Sequence, residues 1–289
     1  MLLSSSLQPF LKYYNCEEAI VEMKKAGLDA IDFSFFDLKY CQDEIDGMDA
    51  KSYFGALKAL AVENGICFNQ AYAPMPSSRA DDTETAKMFE HIVGSIRNAS
   101  YLGIPLIVVH PVQHIPYWTE GTPERLFEMN MDFYGRLKPY SEEYGVKIAL
   151  ENMWHHRSRR ITHSVCSRVE EFNRYLDTLN SDCFIGCLDT GHALLVCENP
   201  EDIIRKMGKD RLQALHIHDV DGVLDLHTLP YYGITDWDQV AKALKEIGYE
   251  GDFTFEVGGF FNPLPKELFP VAAAQMVATG RHIMNKIMN

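Results

Sequence analysis

The ten residues from Phe184 to Ala193 read FIGCLDTGHA, an apolar run that ends on an acid and is followed by a tight turn. The run has the character of a buried strand, Asp189 ends it, and Thr190-Gly191 turns the chain. His192 then lies three residues beyond the acid, where the next segment begins. Two interpretations stay open here: Asp189 caps the turn by accepting backbone N–H bonds, or the carboxylate and the imidazole are functional ligands. Other strand-like runs end in the same way, and their number predicts the fold.

Short apolar runs alternate with longer segments of helical spacing over the whole chain. Eight such pairs indicate a parallel sheet with crossover helices, and they favour a closed (β/α)8 TIM barrel, an α/β fold, over an open doubly wound sheet. The glycine-rich phosphate fingerprint of a dinucleotide fold is absent, and no stretch has the composition of an interdomain linker. We therefore predict a single TIM-barrel domain over residues 1–289. The predicted strands are 2–7, 30–33, 66–71, 106–110, 147–151, 184–189, 212–218 and 252–256.

The composition argues against several classes of protein. Hydrophobic residues make up 46% of the chain, enough for a large core, while a net charge of −14 disfavours nucleic acid, which usually calls for a basic face. The seven cysteines lack CxxC spacing and several lie in apolar runs, so we expect reduced thiols and a cytoplasmic protein. The first ten residues do not have the pattern of a signal peptide. No run approaches the roughly 18 apolar residues of a membrane span.

In a TIM barrel the functional site lies at the carboxyl ends of the strands. Four polar residues lie at or near the ends of four successive predicted strands: Glu151, Asp189, His216 and Glu256. Barrel closure would aim all four at one point, where three carboxylates would repel one another unless a divalent cation neutralised them. Mixed oxygen and nitrogen ligands suit Mn²⁺, Co²⁺, Zn²⁺ or Fe²⁺ better than Mg²⁺. We predict one divalent metal ion at these residues and no organic cofactor; the alternative is that the four form structural pairs.

Six short motifs, in matching order along nearly the whole chain, resemble the signatures of the xylose isomerase-like TIM barrels. This superfamily includes sugar-phosphate isomerases and epimerases, ketose 3-epimerases, inosose-processing enzymes and the endonuclease IV-type abasic-site nucleases. The order and spacing of the motifs point to the superfamily and do not single out a substrate. The motifs are VVHP (108–111), ALEN (149–152), LDTGHA (188–193), LHIHD (215–219), HTLPYYGITDW (227–237) and FEV (255–257).

The resemblance implies roles by position. Glu151, Asp189, His216 and Glu256 match the shared metal ligands. In epimerase-like members the two glutamates of this set also carry the proton, so Glu151 and Glu256 are the implied catalytic residues. His192 matches a position that contacts substrate in epimerases or a further metal in the nucleases.

Further positions resemble the nuclease branch, with one departure. His110, Asp225 and His227 match positions that the three-zinc nucleases use, which makes Asp225 and His227 candidates for an extra metal ion and His110 a candidate for substrate binding. AYAP places Tyr72 where the nucleases have a zinc-binding histidine in AHAP, so a complete trinuclear site is in doubt, and Tyr72 is another candidate substrate contact. His218 points to the same side as His216 by strand alternation; it either touches substrate or is packed and hydrogen-bonded.

The segment Met153–Ser164, MWHHRSRRITHS, follows the fifth predicted strand and gathers three histidines and three arginines. Beside a catalytic strand end, a guanidinium such as that of Arg157 could bind a phosphate or carboxylate. The alternative is a solvated loop whose arginines pair with surface acids. Trp154 either walls the substrate pocket or packs as an ordinary aromatic residue.

The leading hypothesis is a metal-dependent isomerase or epimerase of a small sugar, sugar phosphate or keto-polyol. One glutamate would remove the proton beside a carbonyl, through a metal-stabilised enediolate, and the other would return one. The alternatives are a zinc phosphodiesterase of the endonuclease IV type, an inosose dehydratase-like lyase and a non-catalytic barrel. The expected partner is a small sugar-like molecule, with no membrane. Family barrels are often dimers or tetramers, which leaves a homo-oligomer open.

Overall fold

The structure, a computed structural model, describes all residues from Met1 to Asn289 and is built around eight parallel strands. The strands are short, and nearly all of their residues are buried, as expected of strands with helices on one side and a filled barrel on the other. In chain order they are β1 Leu3–Ser6, β2 Ala30–Ser34, β3 Cys67–Tyr72, β4 Leu106–Val108, β5 Lys147–Glu151, β6 Phe184–Asp189, β7 Leu212–His216 and β8 Phe253–Phe255.

The sheet closes into a barrel. Its hydrogen-bonded order is β7-β6-β5-β4-β3-β2-β1-β8, and all neighbouring pairs are parallel. The seam between β7 and β8 is spanned by a parallel bridge from Ile217 to Phe255. There the Ile217 amide donates to the Thr254 carbonyl (2.8 Å), and the Glu256 amide donates to the Ile217 carbonyl (3.0 Å). The predicted (β/α)8 TIM-barrel fold is confirmed.

Helices cover the outside of the barrel, and polar caps fix where they begin. At the first helix, the Asn15 side chain accepts from the Glu18 amide (2.8 Å) and the Glu18 carboxylate accepts from the Asn15 amide (3.1 Å). Gly27 ends this helix in the left-handed region, with φ of 101°. The eight long helices are α1 Cys16–Ala26, α2 Ala50–Glu63, α3 Asp82–Leu102, α4 Thr122–Tyr144, α5 Val169–Leu179, α6 Pro200–Arg211, α7 Trp237–Ile247 and α8 Phe269–Met288.

None of these helices combines the length and the apolar character needed to cross a lipid bilayer. All seven cysteines are free thiols, as predicted. Pro139, which the sequence suggests as a point of bending or division, lies inside the continuous helix α4.

The segment after β5 differs from the predicted loop. Trp154–Arg157 pairs antiparallel with Arg160–His163, so the segment is a β-hairpin that rises from the carboxyl end of β5. A second small hairpin, of Glu44–Ile45 and Met48–Asp49, follows β2 and has no counterpart in the sequence prediction. Both hairpins lie in βα connections, where a TIM barrel carries the segments that shape its site.

Polar side chains also occur inside the barrel, below the site. The Ser4 hydroxyl donates to the Asn69 side chain (2.8 Å), and the Asn69 amide donates to Asp252 (2.9 Å). This network satisfies its own donors and acceptors near the amino ends of the strands. Buried polar groups are normally hydrogen-bonded, as they are in this network. A polar atom inside the barrel that lacks a partner is therefore unusual and points to a functional role.

Candidate metal centre and active site

The carboxyl ends of the strands surround a cavity of about 500 Å³. Seven of the thirteen residues that line it are predicted site residues, and most of the others belong to the segment after β3 and to the hairpin after β5. The lining residues are Tyr72, Met75, Pro76, His110, Gln113, Met153, Trp154, His155, His156, His192, Asp225, His227 and Glu256.

Four side chains at the base of this cavity form what we call the inner cluster: Glu151, Asp189, His216 and Glu256. One ligand atom from each lies within 4.8 Å of the others. His216 Nδ1 lies 2.5 Å from Glu151 Oε1 and 3.3 Å from Glu256 Oε2. Glu151, Asp189 and His216 are fully buried, and Glu256 reaches the cavity. The structure thus brings together all four predicted ligands, each from a different strand end.

The inner cluster is electrostatically unbalanced. Burial alone would raise the pKa of Glu151, but the imidazoles of His216 and His110 hold that pKa well below its ordinary value. Burial opposes protonation of His216, yet Cys187 and the two glutamates raise the pKa of His216 well above its ordinary value. Without a cation, a proton on His216 is the counter-charge of the carboxylates.

The donor set of the inner cluster fits a divalent cation. Three carboxylates and one imidazole are hard and borderline ligands, in a number that a four- to six-coordinate ion can use. Glu256 Oε2 is buried and has no hydrogen-bond partner, so one of these oxygens is left without a donor by the protein itself. His216 presents Nδ1 to the cluster, which leaves that nitrogen available as a ligand when it carries no proton.

Asp189 is held by a residue that the sequence analysis did not single out. The Asn152 side chain accepts from the Asp189 amide (2.8 Å) and donates to the Asp189 carbonyl (2.9 Å), so it ties the end of β5 to the end of β6. Asp189 Oδ1 also accepts from the His192 amide (2.7 Å). Both interpretations of FIGCLDTGHA are therefore compatible: the carboxylate caps the short helix Thr190–Leu195 and lies in the cluster. The position of Asn152, directly after a strand-end glutamate, was the available signal.

Beside the inner cluster lies a second group, the outer cluster, made of His192, His218, Asp225 and His227. One ligand atom from each lies within 4.8 Å of the others. His192 Nδ1 lies 2.9 Å from the carbonyl oxygen of Asn152, and His192 Nε2 lies 3.6 Å from Asp225 Oδ2. His227 Nδ1 lies 3.0 Å from the carbonyl oxygen of Glu256, and His227 Nε2 lies 3.2 Å from the same Asp225 oxygen. A carbonyl that fixes Nδ1–H leaves Nε2 for a carboxylate or a metal.

Carboxylates of both clusters balance the charge of the outer imidazoles. Burial would lower the pKa of His192 and of His227, but Asp189 and Asp225, together with Glu151 for His192 and Glu256 for His227, raise these pKa values to about 10 and about 9. Burial would raise the pKa of Asp225, yet the two imidazoles hold that pKa far below its ordinary value. The imidazolium groups of His192 and His227 therefore pair with Asp225 and with carboxylates of the inner cluster at neutral pH, while Asp225 Oδ1 accepts no hydrogen bond.

A buried carboxylate fixes the loop that carries half of the outer cluster. Asp219 accepts from the amides of Tyr231 and Thr235 (both 3.1 Å), the hydroxyl of Thr235 (2.6 Å) and the indole N–H of Trp237 (2.9 Å). His227 and Tyr231 have positive φ values of 44° and 74°. A left-handed backbone conformation is unfavourable for any residue other than glycine, and it persists only where surrounding contacts hold it in place. Asp219 supplies that constraint.

Tyr72 and His110 reach the inner cluster from the side. The Tyr72 hydroxyl donates to Glu151 Oε2 (2.9 Å) and also contacts His110, whose Nε2 lies 2.8 Å from the same oxygen. Burial and the nearby carboxylates raise the pKa of Tyr72 well above its ordinary value. Tyr72 is therefore a neutral donor, and Trp154, on the hairpin, completes the wall near His192 with ring centroids 6.3 Å apart.

Two predicted substrate contacts do not line the cavity. Arg157 is exposed on the hairpin, where its guanidinium lies 5.6 Å from the centre of the Trp118 ring. His218 is fully buried; its Nε2 lies 2.9 Å from Asp189 Oδ1, and its ring stacks on His227 at 4.0 Å. This placement gives no support to an anion-binding role for Arg157, and for His218 it favours the packed alternative. The close approach of His218 requires Gly191, where a Cβ would lie 2.0 Å from the His218 ring.

Asp32, at the centre of β2, also lies near the inner cluster. It is fully buried, neither carboxylate oxygen has a hydrogen-bond partner, and Oδ2 lies 3.7 Å from His216 Nε2. Burial raises the pKa of Asp32 to about 7; His216 opposes this rise, while Glu256 and Glu151 add to it. The sequence analysis assigned Asp32 no role, although an acid within an otherwise apolar strand was a signal.

Comparisons with known proteins agree with this fold. The family model of the xylose isomerase-like TIM barrel matches residues 20–268. The chain spans about half the length of an uncharacterised protein from Sinorhizobium fredii, with 29% identity over 160 residues (55% of this chain, 49% of that protein). A probable endonuclease 4 from Cenarchaeum symbiosum is 28% identical over 61% of this chain and 63% of its own length. An inosose isomerase from Bacillus subtilis is 26% identical over 78% of this chain and 74% of its own length.

Among solved structures, a D-tagatose 3-epimerase-like protein superposes with a TM-score of 0.78 and 20% identity, and the match covers 100% of both chains. At this identity the likeness concerns the fold. Together with the match of the family model over most of the chain, it leads to one conclusion: the protein belongs to the family of xylose isomerase-like TIM barrels.

Proposed function

We propose that this protein is a metal-dependent isomerase or epimerase of a small polyhydroxy carbonyl compound. The observation that carries the proposal is the convergence of Glu151, Asp189, His216 and Glu256 at the base of one cavity, with ligand atoms within 4.8 Å of one another. The relatedness to an inosose isomerase from Bacillus subtilis supports the same reaction class.

The inner cluster would hold the ion. A divalent cation there supplies Lewis acidity, which makes the C–H bond beside a substrate carbonyl more acidic. Asp189 and His216 serve only as holders in this scheme, because the family resemblance assigns proton transfer to the two glutamates. Glu151 and Glu256 hold the ion and are also the groups that can accept and donate a proton.

Proton transfer is assigned to the two glutamates. One carboxylate removes the proton next to the carbonyl, and the other carboxyl group returns a proton to the opposite face or to the neighbouring carbon. Tyr72 donates to Glu151, so it lowers the basicity of one oxygen and fixes the direction of the other. Glu151 is fully buried and accepts from Tyr72, whereas Glu256 faces the cavity, so the two carboxylates lie in different environments, as an acid and a base must.

The cavity walls would bind the rest of the substrate. His110, His192 and Tyr72 present ring nitrogens and a hydroxyl, which suit the hydroxyl groups of a polyol. Trp154 offers an aromatic face to the apolar C–H side of a sugar. The volume of about 500 Å³ accommodates a small molecule and a few waters.

The test is solvent deuterium exchange into ketoses and cyclic keto-polyols with added Mn²⁺, Co²⁺ or Zn²⁺, followed by NMR. Glu151→Gln and Glu256→Gln should each slow exchange by about 10²- to 10⁴-fold, the usual contribution of general acid–base catalysis. Glu250→Gln is the matched control, because that side chain is 81% exposed outside the site. Exchange at the wild-type rate in both site variants would contradict the proposal.

A zinc phosphodiesterase is the second candidate, and the outer cluster is the observation that favours it. His192, Asp225 and His227 offer ligands for a further ion beside the inner cluster. Tyr72, at the position of a zinc-binding histidine, and the net charge of −14 count against it. Three tightly bound zinc ions per chain and cleavage of an abasic-site oligonucleotide would replace our first proposal with this one. A dehydrating lyase would share the proton-removal step and would reveal itself by release of water to give an unsaturated product.

A further inference from the structure

A carboxylate that plays no part in the proposed reaction lies on the far side of His216 from the cavity. Asp32 is fully buried in the middle of β2, and neither of its oxygens accepts a hydrogen bond. An unpaired buried carboxylate is costly, and a protein that keeps one usually has a use for it.

The atom that faces Asp32 is equally unpaired. His216 Nε2 is buried, has no hydrogen-bond partner, and lies 3.7 Å from Asp32 Oδ2. On the opposite edge of the same ring, Nδ1 faces Glu151 and Glu256. The imidazole therefore stands between two groups of carboxylates, with one nitrogen directed at each.

We infer that Asp32 is a positioning residue that accepts the Nε2–H bond of His216 and so fixes Nδ1 as the ligand; this rests on the proposed metal at the inner cluster. A neutral imidazole that binds a cation through Nδ1 must carry its proton on Nε2, and that N–H requires an acceptor. The separation of 3.7 Å is too long for a hydrogen bond, and a movement of the ring by roughly 0.8 Å would bring it to normal length.

A second unpaired group supports this arrangement. Gln70 lies in register with Asp32 on the neighbouring strand β3, is 2% exposed, and has an amide nitrogen without a partner. The carboxylate of Asp32 thus has an unpaired donor on each side: the imidazole of His216 above and the amide of Gln70 beside it. The network of Ser4, Asn69 and Asp252 near the amino ends of the strands, by contrast, is already paired.

The experiment measures Co²⁺ binding and not turnover. Purified full-length wild type, Asp32→Ala and Asp32→Asn are titrated with Co²⁺ against a coloured chelator, the visible spectrum of the Co²⁺ complex is recorded, and the Tm of each metal-free protein is measured. We expect Asp32→Ala to weaken Co²⁺ binding by about 10- to 100-fold and to change the visible bands, because the ring loses its anchor. Asp32→Asn keeps a carbonyl oxygen as acceptor and should lose less.

The metal-free Tm separates positioning from a structural role. Removal of an unpaired buried carboxylate should leave the Tm of metal-free Asp32→Ala unchanged or raise it. Asp252→Asn is the control: it disturbs a half-buried, hydrogen-bonded carboxylate that accepts from Leu2 and Asn69, so it should lower the metal-free Tm and leave Co²⁺ affinity at the wild-type value.

Two results would overturn the inference. One is wild-type Co²⁺ affinity with an unchanged spectrum in Asp32→Ala. The other is loss of folding in both variants, or a fall in metal-free Tm as large as that of Asp252→Asn, since Asp32 would then be structural. These outcomes are independent of turnover. If no sugar is converted but Asp32→Ala binds Co²⁺ weakly, the proposed reaction is wrong and the inference about Asp32 stands. If sugars are converted but Asp32→Ala binds Co²⁺ as tightly as the wild type, the proposed reaction stands and the inference is wrong.

Discussion

The inner and outer clusters lie side by side at the mouth of the barrel, and they are composed in opposite proportions. The inner cluster has three carboxylates and one imidazole, whereas the outer cluster has three imidazoles and one carboxylate. In the outer cluster, protons on His192 and His227 neutralise Asp225 and its neighbours. In the inner cluster a single imidazole faces three carboxylates, so one proton on His216 leaves an excess of negative charge within that cluster. Two sites with the same residue types can therefore depend on a cation to different degrees.

The largest expected effect that separates the clusters is in metal affinity. His216→Gln removes one of four ligands from the inner cluster and should weaken binding of the tightest ion by more than about 100-fold, beyond the loss typical of a supporting residue. His227→Gln removes an outer ligand and should change that affinity much less. Competition with a chelator measures both. Equal losses in the two variants would mean that one ion is shared between the clusters.

Next in size is the stabilisation that the ion supplies. Saturation with metal at 100 times its Kd should raise the free energy of unfolding by about 2.7 kcal/mol over the chelated protein. The His227→Gln protein should gain nearly the same amount, because it keeps the inner cluster. Thermal unfolding with and without a chelator gives the comparison, and no gain in the wild type would contradict the metal assignment.

A smaller effect is expected at Asn152, which joins the two clusters through the backbone of Asp189. Asn152→Ala leaves a buried amide and a buried carbonyl of Asp189 without partners and should cost about 1–3 kcal/mol of stability. Asn173→Ala is the control, because its single side-chain bond, to the Lys206 carbonyl, is exposed. Chemical denaturation measures both changes. A loss no larger than that of the control would show that Asn152 is dispensable.

Per pH unit, the smallest predicted effect is a pH dependence of the outer cluster in the metal-free protein. The pKa of His227 is raised to about 9, above the ordinary value of about 6.5, so its stabilising contribution is complete below pH 6.5 and is lost as the pH rises towards 9. The slope from this one group is at most about 1.4 kcal/mol per pH unit. His227→Gln should flatten the decline between pH 7 and 9, whereas His91→Gln, on α3, should not. An identical slope in wild type and His227→Gln would mean that the imidazolium is not stabilising.

Much of this architecture could be predicted from the sequence because the relevant signals are local. The alternation of apolar runs with capped helices identified the eight strands and the barrel, and the polar residues at strand ends identified the inner cluster. Closure of the barrel then places the strand-end residues together, because it brings Glu151 and Glu256 to the barrel axis whatever sequence lies between them.

The remainder depends on contacts that local sequence does not encode. The sequence predicts a loop where the structure has the hairpin of Trp154–Arg157 and Arg160–His163, because the charged and aromatic residues of this segment show no apolar alternation. The partners of Asn152, Asp219 and Asp32 lie on other elements, so their roles become visible only in three dimensions. Arg157 has the right chemistry for an anion, but the hairpin directs it over Trp118 and away from the cavity.

Two residues of the inner cluster also flank the seam at which the barrel closes. β7 and β8 meet through one isolated bridge, from Ile217 to Phe255, and the residues beside that bridge are His216 and Glu256. A ligand held by both residues would link β7 to β8 across this seam. Opening of the barrel at this seam would separate two of the four ligand residues, so ligand binding at the centre would stabilise closure of the barrel.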